Sequence, residues 1–347
     1  GNNKYHEERG REVIMSEVRY NIITGDWVVI ATERAKRPED FSQVKQKDVL
    51  PEYVSHCPFC TGHEDNTPPE TFRLTDDEGK WIVRSVPNKF SAFDREGEVV
   101  KQRVGLRQFI TGAGLHEVII ETPKHNMTTA LLPVDHVKQI LYVYKHRLAA
   151  FYEDNRIEHV IIFKNHGQGA GTSLEHPHSQ IVGTPVFPGQ VMTRLEEAIR
   201  NYYYLNFGEC VYCLCLKNEL EDKVRLISEN KSFVAFIPYA ALSPFHLWIF
   251  PRRHVACFCD ITEEEISDLA SILKEVLLRL YVGLDDPNYN YMVRSLSPKE
   301  TNSKFFHWYI AVVPRVSQTA GFELGTGMFI NTSSPESSAQ FLKDVKI

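Results

Sequence analysis

The two halves of the chain repeat one another, and this limits the possible architectures more than any other feature. Fifty-three positions separate His125 from His178, and the same spacing separates His254 from His307. Seven residues beyond each second histidine stands a proline, Pro185 or Pro314, giving an offset of 129. Moving Lys138–Tyr152 by that offset gives Ser267–Tyr281. Ile140 then falls on Leu269, Val143 on Ile272, Leu148 on Leu277 and Tyr152 on Tyr281. Both segments have the apolar spacing of a helix, and the second is preceded by Thr262-Glu263-Glu264-Glu265, which reads as a helix start. Upstream, Cys57 and Cys60 match Cys210 and Cys213 at an offset of 153. The first copy therefore carries roughly twenty extra residues near Asp94–Gly114, and their charge and glycine content predict a loop insertion.

Each copy reads as a Cys-x-x-Cys knuckle, strands, one long helix and further strands. The strand candidates are Trp27–Ala31, Trp81–Val86, Glu117–Glu121, His159–Phe163, His178–Gly183, Phe233–Ile237, His246–Phe250, Asn290–Arg294 and His307–Val313. Short connections favour antiparallel pairing. The expected fold is α+β: two related antiparallel sheets, separate or joined, each crossed by a long helix. A length of 347 residues accommodates such a pair. The expected division is an arm or tag remnant over 1–17, a first repeat over 18–195 and a second over 196–347. A net charge of -6 argues against a nucleic-acid partner, which would require a basic surface. No apolar run approaches a membrane span, and Gly1–Glu17 lacks the apolar centre of a signal peptide. These points predict a cytoplasmic chain with no membrane partner.

The densest chemistry lies in Ser173-Leu174-Glu175-His176-Pro177-His178-Ser179-Gln180. In a strand, positions i, i+2 and i+4 share a face, so His176, His178 and Gln180 are expected to address one space. Upstream, Lys164–Ser173 contains three glycines among polar residues and has the composition of a phosphate cradle. A neutral imidazole attacks phosphorus well and leaves well, which predicts His178 as the nucleophile of a two-step nucleotidyl transfer. Gln180 can donate to a non-bridging oxygen without exchanging protons, while Ser173 and the glycine amides can hold other oxygens. Asn165 can hold the loop or a ribose. Arg34 and Arg37, in Arg34-Ala35-Lys36-Arg37-Pro38, are further phosphate-binding candidates.

Seven cysteines are an odd number, and without a secretion signal metal binding is favoured over cross-linking. Cys57, Cys60, His125 and His176 make up a zinc-type donor set. It would anchor the start of the strand carrying His178. The repeat nominates Cys210, Cys213, His254 and His307 as a second site. Cys215, Cys257 and Cys259 remain as spare thiols.

With those residues in view, the chain resembles the galactose-1-phosphate uridylyltransferase family of the histidine-triad superfamily, which contains two fused triad-like repeats. The resemblance covers about residues 18 to 335. It rests on Arg34–Pro38, Cys57–Cys60, Val86-Pro87-Asn88-Lys89-Phe90, Asn165, Ser173 through Gln180 and Gly321-Phe322-Glu323. It implies that His178 is uridylylated, that Cys57, Cys60, His125 and His176 hold zinc, and that Gln180, Ser173, Arg34 and Arg37 meet phosphates. Asn88 and Asn165 would lie along the nucleotide, and Phe322 and Glu323 would meet the hexose. The implied reaction is ping-pong: UDP-glucose loads His178, glucose 1-phosphate leaves, and galactose 1-phosphate takes the uridylyl group. A homodimer is implied as well. Better-known bacterial members pair two histidines near the C-terminal strand, whereas His307-Trp308-Tyr309 has one. The ending Gly321–Gly327 and the second Cys-x-x-Cys also resemble ADP-glucose phosphorylase, a relative that transfers AMP to phosphate.

Overall fold

The computed structural model describes residues 16–31, 41, 50–205 and 208–347. Arg34, Arg37 and residues 1–15 of the expected arm lie outside the described residues. Strands and helices are numbered along the chain. A small sheet joins β1 (Glu17–Tyr20), β2 (Trp27–Ile30) and β15 (Phe329–Asn331), with β15 parallel to β2, so both ends of the described chain meet there.

The main sheet has ten strands, all antiparallel to their neighbours. From edge to edge they are β10 (Leu226–Glu229), β11 (Phe233–Phe236), β12 (Leu247–Pro251), β14 (Tyr309–Pro314), β13 (Tyr289–Arg294), β8 (His159–His166), β9 (His178–Thr184), β7 (Leu115–Ile120), β4 (Trp81–Pro87) and β3 (Phe72–Thr75). All nine strand candidates are present within a few residues of their expected bounds. The order mirrors itself about β8 and β13, which pair directly at Phe163↔Met292 and Asn165↔Asn290. The two repeats thus share one continuous sheet, closing the alternative of separate ones.

Helices α1 (Val134–Tyr152) and α4 (Glu263–Gly283) cover one face of this sheet and pack on each other. Their buried stripes, including Ile140, Leu141 and Leu148 on α1 and Leu269, Leu273 and Leu280 on α4, form a single core with Ile119, Ile181, Tyr291 and Ile310 of the sheet. The α4 start is a complete capping box, Thr262 with Glu265, as its sequence predicts. The opposite face is covered by α2 (Gly189–Arg200), α3 (Val211–Asp222) and loops. The predicted insertion is a two-stranded ribbon, not a loop: β5 (Lys101–Val104) and β6 (Arg107–Ile110) turn through Gly105 at φ +61°, the positive φ that a two-residue hairpin needs. Short α5 (Gly321–Thr326) and α6 (Pro335–Asp344) complete the chain.

Strand register corrects the repeat. In the first half Val118, Gln180 and Phe163 sit in one row across β7, β9 and β8. In the second half the row is Trp248, Ala311 and Met292. Ala311 therefore corresponds to Gln180, Tyr309 to His178 and His307 to His176. The offset here is 131, and aligning His307 with His178 at 129 was two residues out. The cause is a longer passage between the paired strands: Phe163 to Gln180 is 17 residues, whereas Met292 to Ala311 is 19.

One ion pair lies inside the core. Lys164 Nζ donates to Glu121, which also accepts from the Thr129 hydroxyl at 3.1 Å and the Tyr144 hydroxyl at 3.3 Å. Both charges are fully buried. Burial alone would raise the Glu121 pKa, but the adjacent Lys164 ammonium overrides it and holds the carboxyl below its ordinary value. Removing one member leaves the other charge stranded in a medium that solvates it poorly. Lys164→Met is expected to cost roughly 3–5 kcal/mol in urea unfolding, and the double variant Lys164→Met/Glu121→Leu less than either single change.

Candidate active site and metal centre

Strand β9 begins at His178 because Pro177 supplies no backbone N–H for a sheet ladder. His178, buried, and Gln180, half-buried, follow at i and i+2 on the face away from α1. His176 precedes the strand. Its Nδ1 lies 3.7 Å from both Cys57 Sγ and Cys60 Sγ, so its ring addresses the thiols and not the space above Gln180. The three side chains expected to share one space therefore divide between two tasks.

The two tasks meet at the His176 carbonyl, to which the His178 Nδ1–H donates at 2.8 Å. That bond fixes the tautomer and leaves Nε2 with its lone pair. Burial lowers the His178 pKa; the carbonyl bond opposes this and nearby Lys164 adds to it. The Lys164 ammonium is 3.5 Å from the His178 carbonyl. A neutral imidazole with one free, oriented nitrogen is the state that nucleophilic attack requires.

Around it stand residues from four strands. Gln180 Oε1 accepts from His116 Nε2 at 2.8 Å, and Asn88 Nδ2 lies 3.0 Å from the same nitrogen. His116 comes from β7 and Asn88 follows β4. Gln180 thereby keeps its amide N–H groups available. Asn165, at the end of β8, accepts at Oδ1 from Asn290 Nδ2 (2.8 Å), which also donates to the Ala170 carbonyl (2.9 Å). Asn290, across the seam on β13, thus pins the glycine-rich loop. Gly167 enters that loop at φ +81°, and a Cβ there would fall 1.9 Å from Asn288 Oδ1; only glycine fits. Ser173 is exposed on the strand side of the loop.

Glu323 and Phe322 are not brought to this site. Glu323 accepts from the Ala320 N–H (3.0 Å) on α5 and lines a cavity whose walls include neither His178 nor Gln180. Phe322 is 44% exposed. Two residues that matter here, His116 and Asn290, were absent from the expectations. Alternation along Leu115–Ile120 puts His116 on one face with Val118, but its partner strand is set only by the tertiary pairing.

Cys57, Cys60, His125 and His176 form a buried cluster with ligand atoms within 4.8 Å of one another. Cys60 Sγ is 3.6 Å from His125 Nδ1. A tetrahedral centre with typical zinc–sulfur and zinc–nitrogen bonds separates S from N by about 3.6 Å, so the four atoms fit one ion. His176 Nε2–H donates to the Thr122 carbonyl at 2.7 Å, orienting the ring as ligand histidines are usually oriented. Burial brings His176 down to about 4 and also lowers His125, which keeps both rings neutral. This is a candidate metal site. In the second half, Cys210 and Cys213 occupy the start of α3, not a separate turn, and group with His254. Cys213 Sγ is 3.3 Å from His254 Nδ1 and 3.7 Å from His307 Nδ1.

Comparison with known proteins agrees with this geometry. Residues 7–188 match the family model described as galactose-1-phosphate uridyl transferase, N-terminal domain, and residues 104–344 match a domain family of unknown function. The chain is 35% identical over 335 residues to an ADP-glucose phosphorylase of Arabidopsis thaliana, covering 95% of this chain and 93% of that protein. It is 27% identical over 342 residues to a galactose-1-phosphate uridylyltransferase of Thermotoga maritima, covering 96% and 99%. Among solved structures, an Arabidopsis thaliana ADP-glucose phosphorylase with bound ADP-glucose superposes with a TM-score of 0.81 at 32% identity, covering 96% of this chain and 99% of that one. A uridylyltransferase gives 0.72 at 26%, covering 95% and 97%. In the described residues no helix is long and apolar enough to cross a membrane. Taken with the strand-borne histidines and the mirrored sheet, these matches place the chain in the galactose-1-phosphate uridyl transferase family, as a nucleotidyltransferase.

Proposed function

We propose that the chain moves an adenylyl group from ADP-glucose to orthophosphate through a covalent intermediate on His178. The observation that carries the mechanism is the His178 Nδ1 bond to the His176 carbonyl, which leaves Nε2 as the only nucleophilic nitrogen. Nε2 attacks the α-phosphorus, a P–N bond forms, and the bond to the β-phosphate oxygen breaks to release glucose 1-phosphate. A phosphate oxygen then attacks the same phosphorus, the P–N bond breaks, and ADP leaves. Gln180, held through its carbonyl by His116, donates to a non-bridging oxygen as charge builds there. Ser173 and the loop amides take the remaining oxygens, with Asn88 and Asn165 along the nucleoside. The choice of donor rests on the 35% identity to an ADP-glucose phosphorylase, against 27% for the Thermotoga maritima uridylyltransferase.

The second reading exchanges UMP between UDP-glucose and galactose 1-phosphate, and it is supported by the family model over residues 7–188. In either reading zinc is the ion we assign to Cys57, Cys60, His125 and His176, because two thiolates with two imidazoles suit its tetrahedral preference. Bound there, it would clamp the strand start and perform no chemistry. We assign zinc to the Cys210, Cys213, His254 and His307 group on the same donor logic. The working unit is a homodimer, and light scattering at the elution peak is expected to give twice the chain mass.

Three outcomes test the reading. Enzyme quenched during turnover with ADP-glucose should gain the mass of AMP on His178, and His178→Ala should gain nothing. If UDP-glucose labels the enzyme and ADP-glucose does not, the uridylyl reading replaces this one; if neither donor labels it, the covalent route is wrong. Asn290→Ala, which frees the loop, should lower kcat/KM about tenfold, a loss of ~1.4 kcal/mol of transition-state stabilisation, with a melting temperature near that of the parent. Cys57→Ser should lower bound zinc by one equivalent in elemental analysis and lower the melting temperature, because a closed metal site stabilises the folded state directly. An unchanged melting temperature in metal-free protein would overturn the structural role.

A further inference from the structure

The second half retains the outline of the first half's site with different chemistry. By register Tyr309 stands where His178 does, Ala311 where Gln180 does, Arg294 where Asn165 does and His246 where His116 does. No nucleophile remains, yet the space is not filled in. A cavity of about 290 Å³ lies there.

Its walls carry cations that have no acidic partner among the described residues. Arg194 of α2 and Arg294 of β13 both line it; burial lowers the Arg294 pKa, and the Arg194 charge adds to that. Neither has an acidic partner among the described residues. Arg194 donates to the Gln190 carbonyl of its own helix, and Arg294 approaches only the Met292 sulfur at 3.8 Å. His246 is 6% exposed and lines the same cavity. The Trp248 indole N–H, which can only donate, donates to His246 Nε2 at 3.2 Å. The proton of the neutral ring is therefore on Nδ1, and that buried N–H has no acceptor. Arg194 Nε and the Ser243 hydroxyl are likewise buried without partners. Buried donors left unpaired are costly, and native structures rarely leave several on one wall. Two acids also line the cavity, but Glu323 is occupied by its own helix end, and Asp26 makes no ion pair with these arginines among the described residues.

We propose that this cavity is a second anion site that takes a phosphoryl dianion, as inorganic phosphate or a small phosphomonoester, between Arg194, Arg294, His246 Nδ1 and the Ser243 hydroxyl. Arginine forks match phosphoryl oxygens in number and direction, and three residues that carry orphan donors, Arg194, Ser243 and His246, line this one cavity. The site is separate from His178. Asn290 lies across the seam from Asn165, and Arg294 is four residues farther along β13, about 13 Å at strand rise, in addition to the spacing of the intervening strands.

Calorimetric titration of the intact protein with inorganic phosphate and, separately, with glucose 6-phosphate tests this. The expected result is a binding event that persists in Gln180→Ala and weakens at least tenfold in Arg294→Gln and in His246→Phe, while both of those variants still take the nucleotide label on His178. The tighter of the two probes identifies the source of the phosphoryl group. Phosphate binding unchanged in both cavity variants, or abolished by Gln180→Ala, would overturn the proposal without touching the transfer reading. Thermal unfolding gives an independent check that also covers a folding failure. In phosphate-free buffer Arg294→Gln should melt at or above the parent temperature, because one of two cations lining the cavity is gone; in a Gln180→Ala background, which weakens phosphate at the His178 site, phosphate should raise the melting temperature only where Arg294 is retained. Should Gln180→Ala/Arg294→Gln be raised by phosphate as much as Gln180→Ala, the cavity is not the site; Arg194→Gln, on the more accessible helix, repeats the measurement if Arg294→Gln does not fold.

Discussion

The carbonyl of His176 is the point on which both structure and chemistry depend. On one side its own imidazole faces two thiols and a second imidazole, a donor set fitted to one metal ion. On the other side the same residue's carbonyl receives the His178 Nδ1–H. Whatever fixes residue 176 in space therefore also fixes which nitrogen of residue 178 keeps its lone pair and where it points. A proline between them removes a rotatable φ and shortens the mechanical path. The Cys/His cluster and the His178 ring are thus one connected assembly, and Gln180 stands two residues on along the same strand.

Behind this assembly the core carries a charge pair that a simple apolar interior would not need. Lys164 sits on the helix-facing side of β8, directly behind the His178 backbone, and is neutralised by Glu121 with help from Thr129 and Tyr144. Its ammonium is close to the His178 carbonyl and, together with burial, keeps the imidazole neutral. Desolvation and the fixed cation lower the His178 pKa, the His176 carbonyl and Glu121 raise it, and the net direction is down, toward the neutral ring.

The mirrored sheet shows how the two halves differ on a common frame. Continuous pairing across β8 and β13 makes the halves a single elastic body, so Asn290 from one half can hold the glycine-rich loop of the other. The second half supplies that support and has exchanged its own imidazole and glutamine for Tyr309 and Ala311. Tyr309 packs on Trp248 and Phe250, and Ala311 belongs to the same apolar layer. Arginine at the Asn165 position, without an acidic partner among the described residues, and a histidine at the His116 position whose Nδ1 has no partner give that half a surplus of donors.

Local sequence determined the elements: the period-two runs of the strands, the capping box of α4, the two Cys-x-x-Cys pairs and the motif around His178 are all decided by neighbours within a few residues, whose spacing can be read directly. It also exposed the duplication, because paired histidines, prolines and helices keep their distances. The register of the second repeat was misread by two residues, since an extended connection between β13 and β14 leaves no local mark. Only the tertiary structure decided that the two sheets are one, that His176 turns away from His178 toward the thiols, that His116 and Asn290 belong to the site, and that Glu323 does not reach it within this chain. Each of these depends on which strands lie side by side. Pairing is chosen by the burial of a whole face at once, so the information is distributed over residues far apart in the chain and appears at no single position.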